Sequence, residues 1–268
     1  TFKDRYLLEH DPFSLVEAMA IAGHAIGAGR GFIYLRQEYR FLADRLRNAI
    51  ARSRERGFLD QIDIELREGA GAYMGGEESG LMNSIEGLRA EARYKPPFPP
   101  QKGLWGNPTV IHNVETLMNI PHIVLRGSAW FAKLGTGQSR GTKVFSVSGD
   151  VDAPGVYELE LGSRLSDLVY RLARARDVRM VQIGGACGRV LPAEGLDVPL
   201  AYESVLGAGA VVVFDRSRDV IDAMFRNAEF LPDESCGRCT PCRDGCEAML
   251  EILGRLNRGE GAEEDIVA

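Results

Sequence analysis

The residues best suited to chemistry are four cysteines that lie close together near the end of the chain. The sequence contains five cysteines, and four of them fall within the segment ESCGRCTPCRDGC. Cys236, Cys239 and Cys242 occur at every third position, so one tight loop can direct three thiolates towards a common centre. Zinc sites usually combine two CxxC pairs far apart in sequence, and this chain has no second pair. The spacing therefore predicts that these three cysteines bind an iron–sulfur cluster.

Cys246 leaves several interpretations open. It extends the run to the C-x2-C-x2-C-x3-C pattern of bacterial ferredoxins, although Glu247 stands where that pattern has proline. In two-cluster ferredoxins the fourth cysteine of the run binds the other cluster, so the spacing alone does not assign Cys246. Cys246 can instead pack on a helix beside Met249 and Leu250, and we favour this packing interpretation. A further alternative is that all these cysteines are buried structural thiols, and Cys187 is predicted to be a small buried residue.

A second candidate site is the glycine-rich segment GAGAYMGGEESGL. It follows a predicted strand and opens a predicted helix, as phosphate-binding turns do, although its spacing is not G-x-G-x-x-G. Glu77 and Glu78 would repel a phosphate, and they are better suited to accept hydrogen bonds from ribose hydroxyls. Acids in that position disfavour a 2′-phosphate, so the segment indicates NAD rather than NADP. The alternative is a surface turn with solvated acids.

The elements that must position these residues alternate between helix and strand in the first part of the chain. Residues 11–29 are predicted as a helix that begins with Asp11 and Pro12, and the strand GFIYLR follows. The helix EYRFLADRLRNAIARSRERG and the strand IDIELREG come next, in an order typical of a parallel sheet with helices on its faces. The proline-rich segment YKPPFPPQKGLWGNP is predicted to be extended, and Asn113 can cap the helix after it.

After about residue 133 the pattern changes to short alternating strands. KVFSVSGDV and GVYELEL are predicted as strands, LSDLVYRLARAR as a helix, and VRMVQIGGACG and ESVLGAGAVVVF complete a small α+β unit. Beyond Asp215 the chain is predicted to be helical on both sides of the cysteine segment. The pattern as a whole indicates an α/β protein.

Composition excludes two classes of function. The net charge of -6 and the isoelectric point near 5.4 argue against a general nucleic-acid binder, because contacts to phosphates require a basic face. The longest apolar run, AVVVF, has the length of a strand, whereas a membrane-spanning helix needs about 20 apolar residues. Clustered cysteines in a chain otherwise poor in cysteine favour metal or redox chemistry in a reducing compartment.

The two ends of the sequence resemble the interior of a longer protein. TFKDRYLLEHDPF begins without methionine, and RGEGAEEDIVA follows a predicted helix without a closing element. We therefore expect a fragment that is cut at both ends, and we expect the printed polypeptide to be inactive by itself.

Four segments, in order along nearly the whole chain, carry a family resemblance. They are TFKDRYLLEHDP, GAGAYMGGEESGLMNSIEGLRAEARYKPPFPP, GLWGNPTVIHNVETLMNIPHI and ESCGRCTPCRDG. The chain resembles the flavin- and NADH-binding 51 kDa-type subunit of respiratory complex I. The same subunit type serves as the diaphorase of NAD-linked hydrogenases and formate dehydrogenases, so the chain resembles those subunits as well.

The resemblance implies three domains and their cofactors. A Rossmann-like flavin domain would span residues 1–133, a ubiquitin-like β-grasp domain 134–217 and a helical iron–sulfur domain 218–268. NADH would deliver a hydride to FMN, and single electrons would then pass to a [4Fe–4S] cluster.

The resemblance also implies roles for particular residues. The flavin and nucleotide pocket would be lined by Tyr73, Gly76, Glu77 and Glu78, with Glu78 as the acid that faces the nucleotide. Lys95 and Phe98 would border the NADH site, and Asn113 and Thr116 would contact the phosphate and ribityl end of FMN. Cys236, Cys239 and Cys242 would be three of the cluster ligands.

The chain departs from the family pattern at two positions. Gly75 stands where the family commonly has cysteine, and His112 stands where it usually has asparagine. The family's upstream glycine-rich flavin loop and its fourth cluster cysteine fall outside the printed sequence. The fourth ligand is therefore either Cys246 or a residue beyond the chain end.

Partners and location are implied only by the resemblance. The neighbours would be a thioredoxin-like [2Fe–2S] subunit and a larger iron–sulfur subunit, in the cytoplasm or at the inner face of the cell membrane through those partners. Complex I and a soluble diaphorase are not separated by these residues. Two other classes stay open: a non-catalytic β-grasp interaction module, and a small ferredoxin-like carrier that uses all four clustered cysteines.

Overall fold

The structure is a computed structural model, and it describes residues 1–266. The helices are α1 Lys3–His10, α2 Pro12–Ile26, α3 Ala43–Glu55, α4 Glu78–Ile85, α5 Val114–Arg126, α6 Ser128–Phe131, α7 Val220–Glu234 and α8 Thr240–Asn257. The strands are β1 Arg30–Leu35, β2 Asp63–Glu68, β3 Thr142–Gly149, β4 Gly155–Glu160, β5 Val178–Ile183, β6 Arg189–Pro192 and β7 Ala210–Asp215. The chain is therefore a mixed α/β protein, as the sequence predicts. Within the described residues, no helix is long and apolar enough to cross a membrane.

The described chain divides into two compact units that alternate along the sequence. The first unit comprises Thr1–Phe32, Leu42–Glu65 and His112–Ser217. The second unit comprises Ile33–Phe41, Leu66–Ile111 and the segment from Arg218 onward. The three sequence domains 1–133, 134–217 and 218–268 remain a prediction.

The first unit contains a five-stranded sheet with the strand order β4-β3-β7-β5-β6. Strands β3 and β7 are parallel neighbours, and the other adjacent pairs are antiparallel. Alternate residues of a strand point to the same face, which explains why Phe145 and Val147 of β3 and Val211 and Val213 of β7 are all fully buried. Leu168, in the helical turn Asp167–Leu172, completes the core on that face.

Local signals place the ends of α2. Asp11 caps the helix by accepting a hydrogen bond from the Ser14 N–H at 3.1 Å, and Pro12 occupies the first turn. Gly27 ends it in the left-handed conformation with φ of 70°, which glycine adopts without the steric cost of a side chain. The helix is thus shorter than the predicted 11–29.

The second predicted helix also differs from the structure. Residues Gln37–Leu42 form a tight 3-10 segment in which Tyr39 has non-helical dihedral angles, and α3 begins only at Ala43. The long apolar side chains buried on α3 are Leu46 and Ile50, spaced by four residues, and this spacing places them on one face.

The second unit contains α4, the proline-rich segment, α7 and α8. Asp219 caps α7 by accepting a hydrogen bond from the Asp222 N–H at 2.9 Å. Helix α8 begins directly after Cys239, and Pro241 lies in its first turn. Cys236 and Cys239 therefore lie in the connection between α7 and α8, whereas Cys242 and Cys246 lie on α8.

Candidate functional site

The glycine-rich segment forms a tight turn that leads into α4. Tyr73–Gly76 is a 3-10 turn, and α4 begins at Glu78. A side chain on Gly75 would place its Cβ 2.8 Å from the Tyr34 hydroxyl oxygen, and one on Gly80 would overlap the Met74 carbonyl oxygen. In contrast, a Cβ on Gly76 would meet no atom within 4 Å. The backbone is therefore packed on one side and open at Gly76, where a flat ring can approach it.

Glu77 is the N-cap of α4. Its Oε2 accepts hydrogen bonds from the Ser79 and Gly80 N–H groups, both at 2.8 Å, and its Oε1 accepts one from Lys95 Nζ at 3.0 Å. Partial burial raises the pKa of Glu77, but the hydrogen bonds from Ser79, Gly80 and Lys95 outweigh it and lower the pKa overall. Both carboxylate oxygens thus have partners within the protein, in addition to any contact with a nucleotide.

Glu78 and Lys95 form the second ion pair of this site. Glu78 is the first residue of α4, and its side chain is 41% exposed. Its Oε1 accepts a short hydrogen bond from Lys95 Nζ. The hydrogen bonds with Glu78 and then Glu77 raise the pKa of Lys95, although desolvation opposes the shift. The structure therefore brings together three of the predicted nucleotide-site residues, with the more exposed carboxylate on Glu78.

A cavity of about 200 Å³ lies beside Lys95. It is lined by Ser79, Met82, Arg93, Tyr94, Lys95, Pro97, Pro99 and Lys102. Three cations border it, of which Lys95 pairs with Glu77 and Glu78 and Arg93 pairs with Glu86. The volume of the cavity suits part of a nucleotide better than the whole. The Phe98 side chain belongs to the same segment and is 51% exposed, as a ring available for stacking must be.

Arg93 holds this segment in place, and the sequence did not single it out. Its Nε donates to Asn83 Oδ1 at 2.7 Å, and its Nη2 donates to Glu86 Oε2 at 2.6 Å. Its backbone N–H donates to the Ser79 hydroxyl oxygen at 2.9 Å. Arg93 thereby fastens the segment that carries Lys95 to α4. A single arginine two residues before Lys95 is a weak signal, because arginine is common on surfaces.

Asn113 and Thr116 belong to the first unit, at the start of α5. Asn113 is the N-cap of this helix, as predicted, since its Oδ1 accepts from the Glu115 N–H at 3.1 Å. The same Oδ1 accepts from Lys3 Nζ at 2.7 Å, and Asn113 Nδ2 donates to Asp4 Oδ2 at 2.8 Å. The Thr116 side chain is exposed on the first turn.

A buried ion network supports Asn113, and the sequence analysis missed it. Lys3 is 3% exposed and Glu115 is 8% exposed, and Lys3 Nζ lies 2.9 Å from Glu115 Oε2. Lys143 Nζ lies 3.0 Å from the same oxygen, and the Val144 N–H donates to Glu115 Oε1 at 2.6 Å. Glu115 therefore joins the start of α5 to strand β3.

The cysteines lie around the start of α8 in the second unit. Cys239 and Cys242 are exposed and Cys236 is partly buried, so the interpretation as buried structural thiols is wrong. Within residues 1–266, no three His, Cys, Asp or Glu side chains are grouped as a site for one metal ion. A [4Fe–4S] cluster binds each thiolate at a different iron, so its ligand sulfurs lie further apart than those around one ion. Two thiols just before α8, Cys236 and Cys239, and a third in its first turn, Cys242, fit such a cluster by their donor chemistry.

The two remaining cysteines, Cys246 and Cys187, differ in their burial. Cys246 is partly buried, its Sγ lies 4.0 Å from that of Cys242, and the neighbouring Met249 is 41% exposed. Partial burial agrees with packing of Cys246 on α8, and its distance from Cys242 agrees with a role as a cluster ligand. Cys187 lies in the loop between β5 and β6 and is exposed there. The prediction that Cys187 is buried is therefore wrong.

Two family descriptions match the chain. Residues 1–122 match the Nuo51 FMN-binding domain. Residues 222–268 match the NADH-ubiquinone oxidoreductase-F iron-sulfur binding region. The second match contains the cysteine segment, and the first contains the glycine-rich turn with Lys95 and Asn113.

Similar proteins occur in bacteria. The F 2 subunit of the NADH-quinone oxidoreductase of Rhizobium meliloti (strain 1021) is 42% identical, over 99% of this chain and 68% of its own length. The NADP-reducing hydrogenase subunit HndC of Solidesulfovibrio fructosivorans is also 42% identical, over 99% of this chain and 58% of its own length. A solved NAD+-reducing [NiFe]-hydrogenase in the H2-reduced state superimposes with a TM-score of 0.95 at 42% identity, over 99% of this chain and 47% of the hydrogenase chain.

An FMN-binding domain followed by an iron–sulfur region defines a class of oxidoreductase subunits. The chain belongs to the family of NADH-quinone oxidoreductase F subunits, which also includes matching hydrogenase subunits. It spans 58% and 68% of the length of the hydrogenase subunit and the NADH-quinone oxidoreductase subunit, respectively.

Proposed function

We propose that the full-length protein oxidises NADH with FMN as hydride acceptor and passes single electrons through a [4Fe–4S] cluster to partner iron–sulfur subunits. One observation carries this proposal: the acid–lysine group, formed by Glu77, Glu78 and Lys95, lies in the same compact unit as the cysteine segment. In that unit a hydrogen bond of 3.0 Å from the Tyr73 N–H to Glu234 Oε2 joins the turn that precedes Glu77 to the cysteine segment. Glu234 lies two residues before Cys236.

The glycine-rich turn would hold the flavin. When bound, FMN exchanges electron pairs with NADH and single electrons with a cluster. The open backbone at Gly76 admits a flat ring, and Tyr73, whose ring is 47% exposed, borders the same turn. Asn113 and Thr116 would contact the phosphate and ribityl end, with Lys3 orienting the Asn113 amide.

The acid–lysine group would select the nucleotide. Glu78 carries the more exposed carboxylate, so it would accept hydrogen bonds from the ribose hydroxyls, while Glu77 keeps α4 capped. Lys95 and Phe98 would border the bound NADH, Lys95 with its charge and Phe98 by stacking. Three cysteines, Cys236, Cys239 and Cys242, would bind the cluster.

The finer description of the fold belongs to the same proposal. The sheet has the order β4-β3-β7-β5-β6, and β3 and β7, which come first and last of these strands along the chain, are parallel neighbours. This arrangement supports a ubiquitin-like β-grasp domain over 134–217. The alternation of α2, β1, α3 and β2 supports a Rossmann-like flavin domain over 1–133. Helices α7 and α8 would form the iron–sulfur domain of 218–268.

Partners and location follow from the relatives as proposals. Proteins similar to this chain are named as subunits of an NADH-quinone oxidoreductase and of a hydrogenase. We propose a thioredoxin-like [2Fe–2S] subunit and a larger iron–sulfur subunit as neighbours, in the cytoplasm or at the inner membrane face through them. The close structural match to a NAD+-reducing hydrogenase favours a second candidate, the diaphorase subunit of a soluble enzyme.

Cofactor content tests the proposal. The full-length protein is reconstituted anaerobically with FMN, iron and sulfide, and its flavin absorbance and its iron and sulfide content are measured. We expect one FMN and one [4Fe–4S] cluster per chain and bleaching of the flavin by NADH. A protein that binds neither cofactor would instead support the non-catalytic β-grasp interaction module.

A further inference from the structure

Polar contacts join the cysteine segment to the segment that carries the nucleotide-site residues, all within the second unit. Besides the Tyr73–Glu234 hydrogen bond, Arg89 Nη2 donates to the Cys236 carbonyl oxygen at 3.0 Å. Arg238 Nη1 donates to Glu91 Oε1 at 2.8 Å. Each contact reaches a residue at, or within two positions of, a predicted cluster ligand.

Arg238 makes the most specific of these contacts. It lies between Cys236 and Cys239, and its guanidinium group covers the Tyr94 ring at 4.5 Å from the ring centre. The Arg238 and Glu91 side chains are only 28% and 32% exposed, so water screens their attraction less than that of a fully exposed pair. The guanidinium group of Arg238 thus makes an ion pair with Glu91 and a cation–π contact with Tyr94, and these two contacts hold it in position.

The partners of Arg238 lie next to the nucleotide site. Tyr94 precedes Lys95, lines the same cavity and is followed by the segment that carries Phe98. Glu91 is held on the other side, because its carbonyl oxygen accepts a hydrogen bond from Asn83 Nδ2 at 2.9 Å. Asn83 in turn accepts from Arg93. Arg238 therefore contacts a segment that is itself held against α4 through Asn83.

We propose that Arg238 is a positioning residue that clamps the cysteine loop, residues 236–239, onto the nucleotide-site segment, residues 91–98. The clamp holds the loop in the conformation that retains the cluster, although Glu91 and Tyr94 do not themselves bind it. This inference rests on the proposed function, since it takes Cys236 and Cys239 as ligands.

A neighbouring arginine provides a matched control. Like Arg238, Arg243 is adjacent to a predicted cluster ligand, since it directly follows Cys242. It carries the same charge in the same segment. Its contacts are local, however: Nη1 donates to the Gly237 carbonyl oxygen at 3.1 Å, and Nε donates to Asp244 Oδ1 at 2.9 Å. A charge effect would make Arg238→Gln and Arg243→Gln equivalent, whereas a clamp would make them differ.

The experiment measures loss of cluster iron to a chelator from the reconstituted full-length protein, together with the electron paramagnetic resonance spectrum of the reduced cluster. We expect Arg238→Gln to lose iron roughly tenfold faster than the unmodified protein. Arg243→Gln should lose cluster iron at less than about half the rate of Arg238→Gln. The charge-swapped double variant Arg238→Glu with Glu91→Arg should restore both retention and the spectrum relative to Arg238→Glu alone.

Each outcome bears on a different claim. Equal effects of Arg238→Gln and Arg243→Gln, no effect of Arg238→Gln, or no rescue by the charge swap would overturn the clamp. An unmodified full-length protein that assembles no cluster would overturn the proposed function instead. If Arg238→Gln does not fold, Glu91→Gln breaks the same pair from the other side and must give the same acceleration.

Discussion

The Glu234 carboxylate accepts a hydrogen bond of 3.0 Å from the backbone N–H of Tyr73. The ring of Tyr73 also meets the ring of Phe230, with 5.0 Å between centres and an angle of 81° between planes. Phe230 and Glu234 lie in the last two turns of α7, just before Cys236. The turn proposed to seat the flavin and the segment proposed to hold the cluster are thus in direct contact.

The nucleotide preference depends on Glu78. We expect Glu78→Gln in the full-length protein to weaken NADH binding and to ease the use of NADPH, because the amide removes the charge that repels a 2′-phosphate. The loss for NADH should be about 1.5–3 kcal/mol, the value of a hydrogen bond to a charged group. Steady-state kinetics with both nucleotides measures it. Glu229→Gln, a change at a glutamate of similar exposure on α7, should leave the preference unchanged, and an unchanged preference in Glu78→Gln would reject the assignment.

Acid stability depends on Glu77. The pKa of this carboxyl is lower in the folded protein than in the unfolded chain, so its contribution to stability is present above about pH 4.3. That contribution is lost as the pH falls through the lowered folded pKa. Glu77→Gln should reduce the free energy of unfolding at pH 7 by about 1 kcal/mol, the usual value of a helix N-cap, and should flatten the acid branch of the stability curve. Urea denaturation at several pH values checks this, and parallel curves for both proteins would contradict it.

The buried network at the start of α5 depends on Lys3. Lys3→Met keeps the length of the side chain but leaves Asp4 and Glu115 without their shared cation. We expect a loss of at most about 3 kcal/mol in the free energy of unfolding, since Lys143 still pairs with Glu115 and the partly buried Asp4 loses its cation. Arg5→Met, in the same helix, removes an exposed cation that pairs with Glu9 and should change stability by less than about 1 kcal/mol. Equal urea midpoints for the two variants would show that the network is not needed.

The identity of the cluster ligands is tested by two serine substitutions. We expect Cys239→Ser in the full-length protein to lose the cluster and Cys246→Ser to retain it, because the three evenly spaced cysteines are the predicted ligands. Iron analysis and the visible absorbance of the cluster distinguish the two. If Cys246→Ser also loses the cluster, the ferredoxin-like use of all four cysteines gains support.

Local signals in the sequence predicted most of the elements. Asp11 with Pro12 marked the start of α2, and Asn113 was confirmed as the N-cap of α5. Such signals act over one helical turn, so they can be read from neighbouring residues. The predicted helix from residue 38 instead begins at Ala43, where Leu42 offers no capping side chain.

Contacts between distant residues could not be predicted in the same way. Lys3 and Glu115 form a buried pair although they are far apart in the chain, and neither residue type signals burial. The family resemblance implied that Glu77, Glu78 and Lys95 lie near the nucleotide, but it did not show that Lys95 pairs with both acids. The same holds for Arg238 and Glu91, whose partnership depends on how the cysteine segment returns to the nucleotide-site segment.

The most direct test of the central claim is NADH-driven reduction of the cluster in the full-length protein. Electron paramagnetic resonance spectra are recorded anaerobically after addition of NADH, with dithionite as a check that the cluster can be reduced. We expect a reduced-cluster signal when FMN is bound and none after FMN has been removed. A protein with both cofactors whose cluster responds to dithionite but not to NADH would contradict the account.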